Sequence, residues 1–213
     1  MTNFLKLDLS HARNVYVVGD IHGCFDKLIQ KMDQIGFDYD HDFMLSVGDL
    51  VDRGPLSHFA VEFAEKPWFK YVLGNHEQIM AKAGGTSWHI QNGGSWFLNL
   101  DEGERQQHID ALWNAPLIME VTTPSGARIG LVHAAFPFDE WTDETVNRAV
   151  TQSSEFCMWD RDDVRNPRPQ GIKGIDHVFH GHNILKQPKT IGNITWLDTG
   201  AFRGGPLTIV RAP

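Results

Sequence analysis

Three times in its first eighty residues the chain runs a short apolar strand into a glycine, and each glycine is followed at once by a side chain able to bind a metal ion. Val15-Tyr16-Val17-Val18 leads into Gly19-Asp20-Ile21-His22-Gly23. Phe43 to Val47 leads into Gly48-Asp49-Leu50-Val51-Asp52-Arg53-Gly54, and Phe69 to Leu73 into Gly74-Asn75-His76-Glu77. After the first, Phe25, Leu28, Ile29, Met32 and Ile35 recur at helical spacing and Gly36 closes the helix. In a parallel α/β arrangement the carboxyl ends of neighbouring strands lie side by side, and the loops there form the usual ligand site. Asp20, His22, Asp49 and Asn75, distant in sequence, are therefore expected to converge.

The second half is richer in strands. Leu117 to Thr123 and Arg128 to Val132 flank a Pro-Ser-Gly turn and read as a hairpin. Asp176 to Phe179, Ile194 to Leu197 and Leu207 to Val210 are further short strands, and helices are expected over Glu104 to Asn114 and Glu144 to Trp159. No repeat or linker interrupts the chain, so its 213 residues are read as one α/β (α+β) domain with two packed sheets and flanking helices.

A net charge of −8 argues against general nucleic-acid binding, which needs a basic surface to displace counterions. It does not exclude a phosphate-bearing substrate, because metal ions can make a pocket locally cationic. No apolar run approaches a membrane span, and Met1 to Ser10 lacks the layout of a signal peptide. Two cysteines, Cys24 and Cys157, make no disulfide framework. The expected setting is the cytosol, bacterial or, for a phage-encoded chain, that of the host.

Carboxylate, imidazole and amide oxygen suit hard or borderline divalent cations. Two such ions about 3.5–4 Å apart clamp a phosphoryl group and generate hydroxide between them. One carboxylate must then bridge them, and Asp49, on the central strand, is the candidate. The strand Ile129 to Val132 runs into His133, and Val178-Phe179-His180-Gly181-His182 repeats that form, so His133 and His182 are the added ligands. His180 alternates with His182 along its strand and should face away. A lone Asp-x-His means little; three such pieces at three strand ends exceed chance. A cysteine-based phosphatase needs an arginine six residues after its thiolate, where Gln30 and Asp163 stand instead. Both cysteines are read as packing residues. Glu77 is expected to brace the helix after Asn75, Trp88 and Trp96 to be core or rim, and Asp198 to be either a carboxylate behind a ligand histidine or a plain turn residue.

The three motifs match, without exception, the signature of the PPP-type metallophosphatases, the serine/threonine protein phosphatases, and the likeness runs along nearly the whole chain. That resemblance implies the metallophosphatase fold: a central β-sandwich of two mixed sheets flanked by helices, four-layer α/β/β/α, in a single calcineurin-like domain over residues 1–213. It implies a first metal on Asp20, His22 and bridging Asp49, and a second on Asp49, Asn75, His133 and His182. His76 resembles the family's general acid, oriented by Asp52, while Arg53 and Arg161 resemble its phosphate-binding arginines, with Asn75 also at the phosphate. Leu73 stands where many relatives carry an arginine, one positive charge fewer. The aromatic-bearing C-terminal loop of the eukaryotic enzymes has no clear match in Gly200 to Gly205. The implied activity is hydrolysis of phosphoserine and phosphothreonine in proteins, extending to phosphotyrosine and aryl phosphates, by direct attack of a metal-bridging hydroxide. The cofactors are two divalent ions, Mn²⁺ first, with Fe, Zn, Ni or Co as alternatives. Phosphorylated proteins or peptides are the expected partners, with no nucleic acid or membrane, and the chain is expected to be a monomer or weak oligomer. The alternatives are a symmetrical dinucleoside polyphosphate hydrolase and, opposed by the presence of His76, Asp52 and Arg53, a non-catalytic metal-binding module.

Overall fold

The computed structural model describes residues 4–213; Met1 to Asn3 lie outside the described residues. The strands are β1 (Phe4–Asp8), β2 (Asn14–Val18), β3 (Asp42–Ser46), β4 (Phe69–Tyr71), β5 (Ile118–Thr122), β6 (Arg128–Val132), β7 (His177–His180), β8 (Lys189–Ile191), β9 (Ile194–Trp196) and β10 (Ile209–Arg211). The α-helices are α1 (Phe25–Ile35), α2 (Ala60–Ala64), α3 (Asn75–Ala83), α4 (Ser87–Gln91), α5 (Glu102–Trp113), α6 (Asp143–Gln152) and α7 (Ser154–Trp159).

The strands form two mixed sheets. One is four-stranded in the order β10-β2-β3-β4, with β2, β3 and β4 parallel and β10 antiparallel to β2. The other is six-stranded in the order β1-β5-β6-β7-β9-β8. The Pro-Ser-Gly hairpin is present as antiparallel β5 and β6, with Ile118 opposite Val132.

Alternate residues of a strand face opposite sides, and the sequence uses both. Leu45 joins Val15, Val17, Met119, Val121 and Leu131 in an apolar layer between the sheets. Its neighbour Met44 faces the other way, against Phe25 and Leu28 of α1 and Phe63 of α2. On the far side, Val146 of α6 and Cys157 and Met158 of α7 cover Ile118, Val178 and Trp196 of the six-stranded sheet. The result is helix, sheet, sheet, helix, and both cysteines are buried and free. No helix among the described residues is long and apolar enough to cross a membrane.

Some boundaries differ from the sequence reading. The helix expected from Glu104 starts at Glu102, because Asp101 accepts the amide of Glu104 as its cap while the Glu104 side chain accepts the amide of Asp101. The helix expected over Glu144 to Trp159 is two helices, broken at Ser153 (φ −137°). β1 and β8 were not anticipated. Both lie at the edges of the six-stranded sheet, one half-exposed and the other three residues long, so neither carries an unbroken apolar run.

Candidate metal centre

The carboxyl ends of β2, β3 and β4, the end of β6 and the turn after β7 meet at one place between the sheets. They bring Asp20, His22, Asp49, Asn75, His133 and His182 together, all buried. The backbone there is strained. Among the described residues the non-glycine positions with positive φ are His22, Asp49, Asp52, Arg53 and His182, all site residues. Such conformations cost about 1–3 kcal/mol each and persist only where the surroundings enforce them.

Glu77 supplies much of that enforcement. Its Oε2 accepts the amides of Gly74 and Asp49 (both 3.0 Å), and its Oε1 accepts those of Leu50 (2.7 Å) and Val51 (3.3 Å). One carboxylate thus caps α3 and pins the Asp49 loop, the bracing role its position in the sequence suggested. The closeness leaves no room for side chains. A Cβ on Gly74 would collide with Asp49 Oδ1, and one on Gly181 with Asp20 Oδ1.

Asp49 Oδ2 lies 3.4 Å from His22 Nε2 and 3.3 Å from His133 Nε2, while its Oδ1 accepts the amide of His76 at 2.9 Å. Asn75 Oδ1 is 2.9 Å from both His133 Nε2 and His182 Nδ1. Asp20 accepts the amide of His182 through both oxygens, and its Oδ2 lies 3.9 Å from His22 Nε2. His22 and His133 point Nδ1 at the carbonyls of Val51 and Val47, which turns Nε2 inward.

These residues fit divalent cations on two observations. Asp20, Asp49, Asp52, Glu77 and Asp198 are all at most 2% exposed, and burial raises the carboxyls of Asp20, Glu77 and Asp198 above their ordinary range, as expected of a cluster short of the positive charge a cation brings. Electron-pair donors also converge: Asn75 Oδ1 and Asp49 Oδ2 are turned toward the ring nitrogens of His22, His133 and His182. Burial pushes the His22 imidazole down to about 3 against the pull of Asp49, so it is neutral with a free pair. Burial also opposes charge on His133, but Asp49 and Asp20 outweigh it and raise its pKa. A proton on His133 does there what a cation would do better.

Beside this cluster stands His76. Its Nδ1 donates to Asp52 Oδ2 at 2.7 Å, and Asp52 Oδ1 accepts from His89 Nε2 (2.9 Å) and Trp96 Nε1 (2.8 Å). Arg53 reaches across both histidines, Nη1 to His22 Nε2 and Nη2 to His76 Nε2, each 2.7 Å. Its guanidinium lies over the Phe202 ring, 4.6 Å from the centroid, and that ring packs 5.0 Å from His22.

The sequence profile of the calcineurin-like phosphoesterases matches residues 13–192. The chain belongs to that family. Over 98% of its length this phosphoesterase is 34% identical to serine/threonine-protein phosphatase 1 of Salmonella typhimurium, covering 96% of that protein. Over 99% it is 32% identical to serine/threonine-protein phosphatase 2 of Escherichia coli, covering 98% of it. It superimposes on a solved structure provisionally described as a diadenosine tetraphosphatase, with a TM-score of 0.71 and 21% identity, over 100% of this chain and 95% of that one.

Other residues singled out in the phosphoesterase sequence fall as follows. Arg161 lines a cavity of about 420 Å³ together with Arg53 and His182. His180 directs Nδ1 to the carbonyl of Val132 and packs on Trp196, apart from the cluster. Asp198 accepts the amide of Gly200 and hydrogen-bonds no histidine. Trp88 stacks on Trp159 at the surface. Leu73 is buried with Leu117 and Met158 in the core behind the six-stranded sheet. Trp96, read as core or rim, packs on the core beside α1 and α2 and also donates to Asp52, 44 residues away. Two residues were missed: Phe202, in the segment that lacked a recognisable aromatic loop, and His89, whose partner Asp52 is 37 residues away.

Proposed function

We propose that this phosphoesterase removes phosphate from phosphoserine and phosphothreonine in proteins, with phosphotyrosine and aryl phosphates as secondary substrates. The observation that carries the reading is the buried His76–Asp52 pair beside the ligand cluster. A hydroxyl leaving group needs a proton, and this pair can deliver one.

Asp20, His22 and Asp49 would hold one divalent cation, and Asp49, Asn75, His133 and His182 a second. Asp49 shares a group of mutually close ligand atoms with His22 and another with His133 and His182, which supports it as the bridge. His76 is as near to His22 and Asp49 as a ligand would be, but its Nδ1 is engaged by Asp52 and only one ring nitrogen remains for substrate. Asp20 adds a second carboxylate to the first ion, the larger electrostatic gain. When bound, the two ions, Mn²⁺ first, supply Lewis acidity and the hydroxide that attacks phosphorus.

The protein's own groups do the rest. Asp52 holds the His76 ring through Nδ1, so that a proton on Nε2 can pass to the departing oxygen as the P–O bond breaks. Arg53 would turn from His22 and His76 to the phosphoryl oxygens, because a His22 Nε2 pair given to a cation and a His76 Nε2 that carries a proton can no longer accept from a guanidinium. Arg161 reaches the same oxygens from the cavity wall, with the Asn75 amide at their edge, and negative charge moving onto those oxygens in the transition state meets fixed positive charge.

Initial rates on a phosphoserine peptide, p-nitrophenyl phosphate and diadenosine tetraphosphate, with Mn²⁺ present, test the assignment. Hydrolysis of the first two is expected. Turnover of the nucleotide alone would give the site to dinucleoside polyphosphates.

A further inference from the structure

The cavity that opens beside the candidate centre holds more positive charge than one phosphoryl group requires. Its volume is about 420 Å³, within the range of whole ligand sites. Four guanidinium groups line it, those of Arg53, Arg161, Arg165 and Arg203, and no carboxylate does. In a chain of net charge −8 this is a local inversion of sign.

Arg53 and Arg161 are assigned above to the scissile phosphate, which leaves Arg165 and Arg203 without a role. Among the described residues the Arg203 side chain makes no hydrogen bond or ion pair; it lies 5.2 Å from the centroid of the Phe202 ring that also carries Arg53. Two guanidinium groups on one ring repel each other unless an anion lies between them. Arg165 has one partner, Asp162 at 3.3 Å, and both are largely exposed. Exposed pairs of this kind contribute little, so an arriving anion displaces the carboxylate easily.

We propose that Arg165 and Arg203 form a second anion subsite that selects phosphorylated residues flanked by another negative group, either a carboxylate or a second phosphate. The proposal rests on the phosphoprotein reading of the site. It favours a peptide over a nucleotide because no Phe, Tyr or Trp lines the cavity and its one ring, His182, belongs to the proposed ligand cluster.

The test uses the full chain with Mn²⁺ and three matched phosphoserine peptides. One is flanked by alanine, one by aspartate and one by a second phosphoserine. We expect kcat/KM to favour both acidic peptides over the alanine peptide, mainly through KM. In the Arg165→Gln/Arg203→Gln double variant that preference should fall about five- to tenfold. Salt of about 0.5 M should compress it in the native protein, since exposed charges are screened. Arg203→Glu should move the preference toward a lysine-flanked peptide. A preference confined to the doubly phosphorylated peptide also supports the subsite and narrows its ligand to phosphate. Equal turnover of all three peptides by the native protein overturns the subsite and leaves the phosphatase reading standing. So does a preference that survives in the double variant. Failure on every peptide with turnover of diadenosine tetraphosphate overturns both.

Discussion

Asp52 Oδ2 stands 2.7 Å from His76 Nδ1, with neither side chain more than 1% exposed. The other oxygen of Asp52 is held by His89 and Trp96, so the carboxylate cannot turn away and the ring it orients keeps Nε2 toward Arg53. Replacing His76 with asparagine removes a proton donor but no proposed ligand. His76→Asn should keep both metal sites and lose rate on phosphoserine by about 10²–10⁴-fold, the usual yield of general-acid catalysis. The loss should be smaller on p-nitrophenyl phosphate, whose phenolate leaves without much protonation. Metal analysis with kinetics on both substrates decides it. Equal losses with metal content intact would mean that His76 positions rather than protonates.

The ligand loops were legible because each strand announces itself by an apolar run ending in glycine, and strand order then dictates convergence. His133 and His182 followed from the same form. What surrounds them was not legible. His89 and Trp96 serve Asp52 from a segment whose path depends on α3 and α4, and no local pattern marks a histidine that will meet a carboxylate 37 residues away. Phe202 reaches Arg53 through a turn closed by the tertiary fold. Leu73, two residues past β4, turns its side chain into the core behind the six-stranded sheet.

Metal dependence has its own signature. Chelator should abolish turnover of aryl phosphate, and Mn²⁺ should restore it. Asp49 and Asp20, against burial, raise the pKa of His133, so metal binding there should release a proton at neutral pH. Calorimetry in buffers of different ionisation enthalpy measures the release, and binding heats independent of buffer would contradict it. Asp49→Ala should weaken both sites and Asp20→Ala one, as the proposed bridging role requires. Loss of a single site in both variants would mean that Asp49 does not bridge.

Glu77 makes a prediction about folding that needs no metal. Its two oxygens accept four backbone amides from two segments of chain. Glutamine keeps one acceptor and turns an NH₂ group toward the remaining donors. Glu77→Gln should cost about 2–4 kcal/mol in urea denaturation with chelator present, since buried amides left unpaired cost about 1–3 kcal/mol each. A loss below about 0.5 kcal/mol, the level of an ordinary surface change, would show that the Asp49 loop is shaped by something else.

The last prediction concerns Asp42, at the start of β3 and remote from the ligands. Its side chain is buried and accepts from Arg13 Nε (2.9 Å) and Nη2 (2.6 Å), from Asn14 Nδ2 (2.9 Å) and from the amide of Asp38 (3.0 Å). Burial by itself would raise the pKa of this carboxyl, but the hydrogen bonds from Arg13, Asp38 and Asn14 outweigh it and hold the group below its ordinary value. A carboxyl whose folded pKa is depressed adds stability that is full above the unfolded pKa, about 3.9, and is lost as pH falls through the folded pKa. Asp42→Asn cannot titrate, so the stability gap between native protein and variant isolates this one group. At pH 7 the gap should be about 2–3 kcal/mol, because charge-assisted hydrogen bonds become neutral ones and an asparagine NH₂ confronts Arg13. It should hold nearly constant down to about pH 5 and shrink below about pH 4, where the unfolded chain takes up a proton that the folded carboxylate still resists, until the folded group protonates as well. Urea midpoints of both proteins at pH 7, 5 and 3.5, in chelator so that metal release does not intrude, measure it. A gap that widens on acidification would mean that Asp42 is held protonated in the fold, contrary to its four donors.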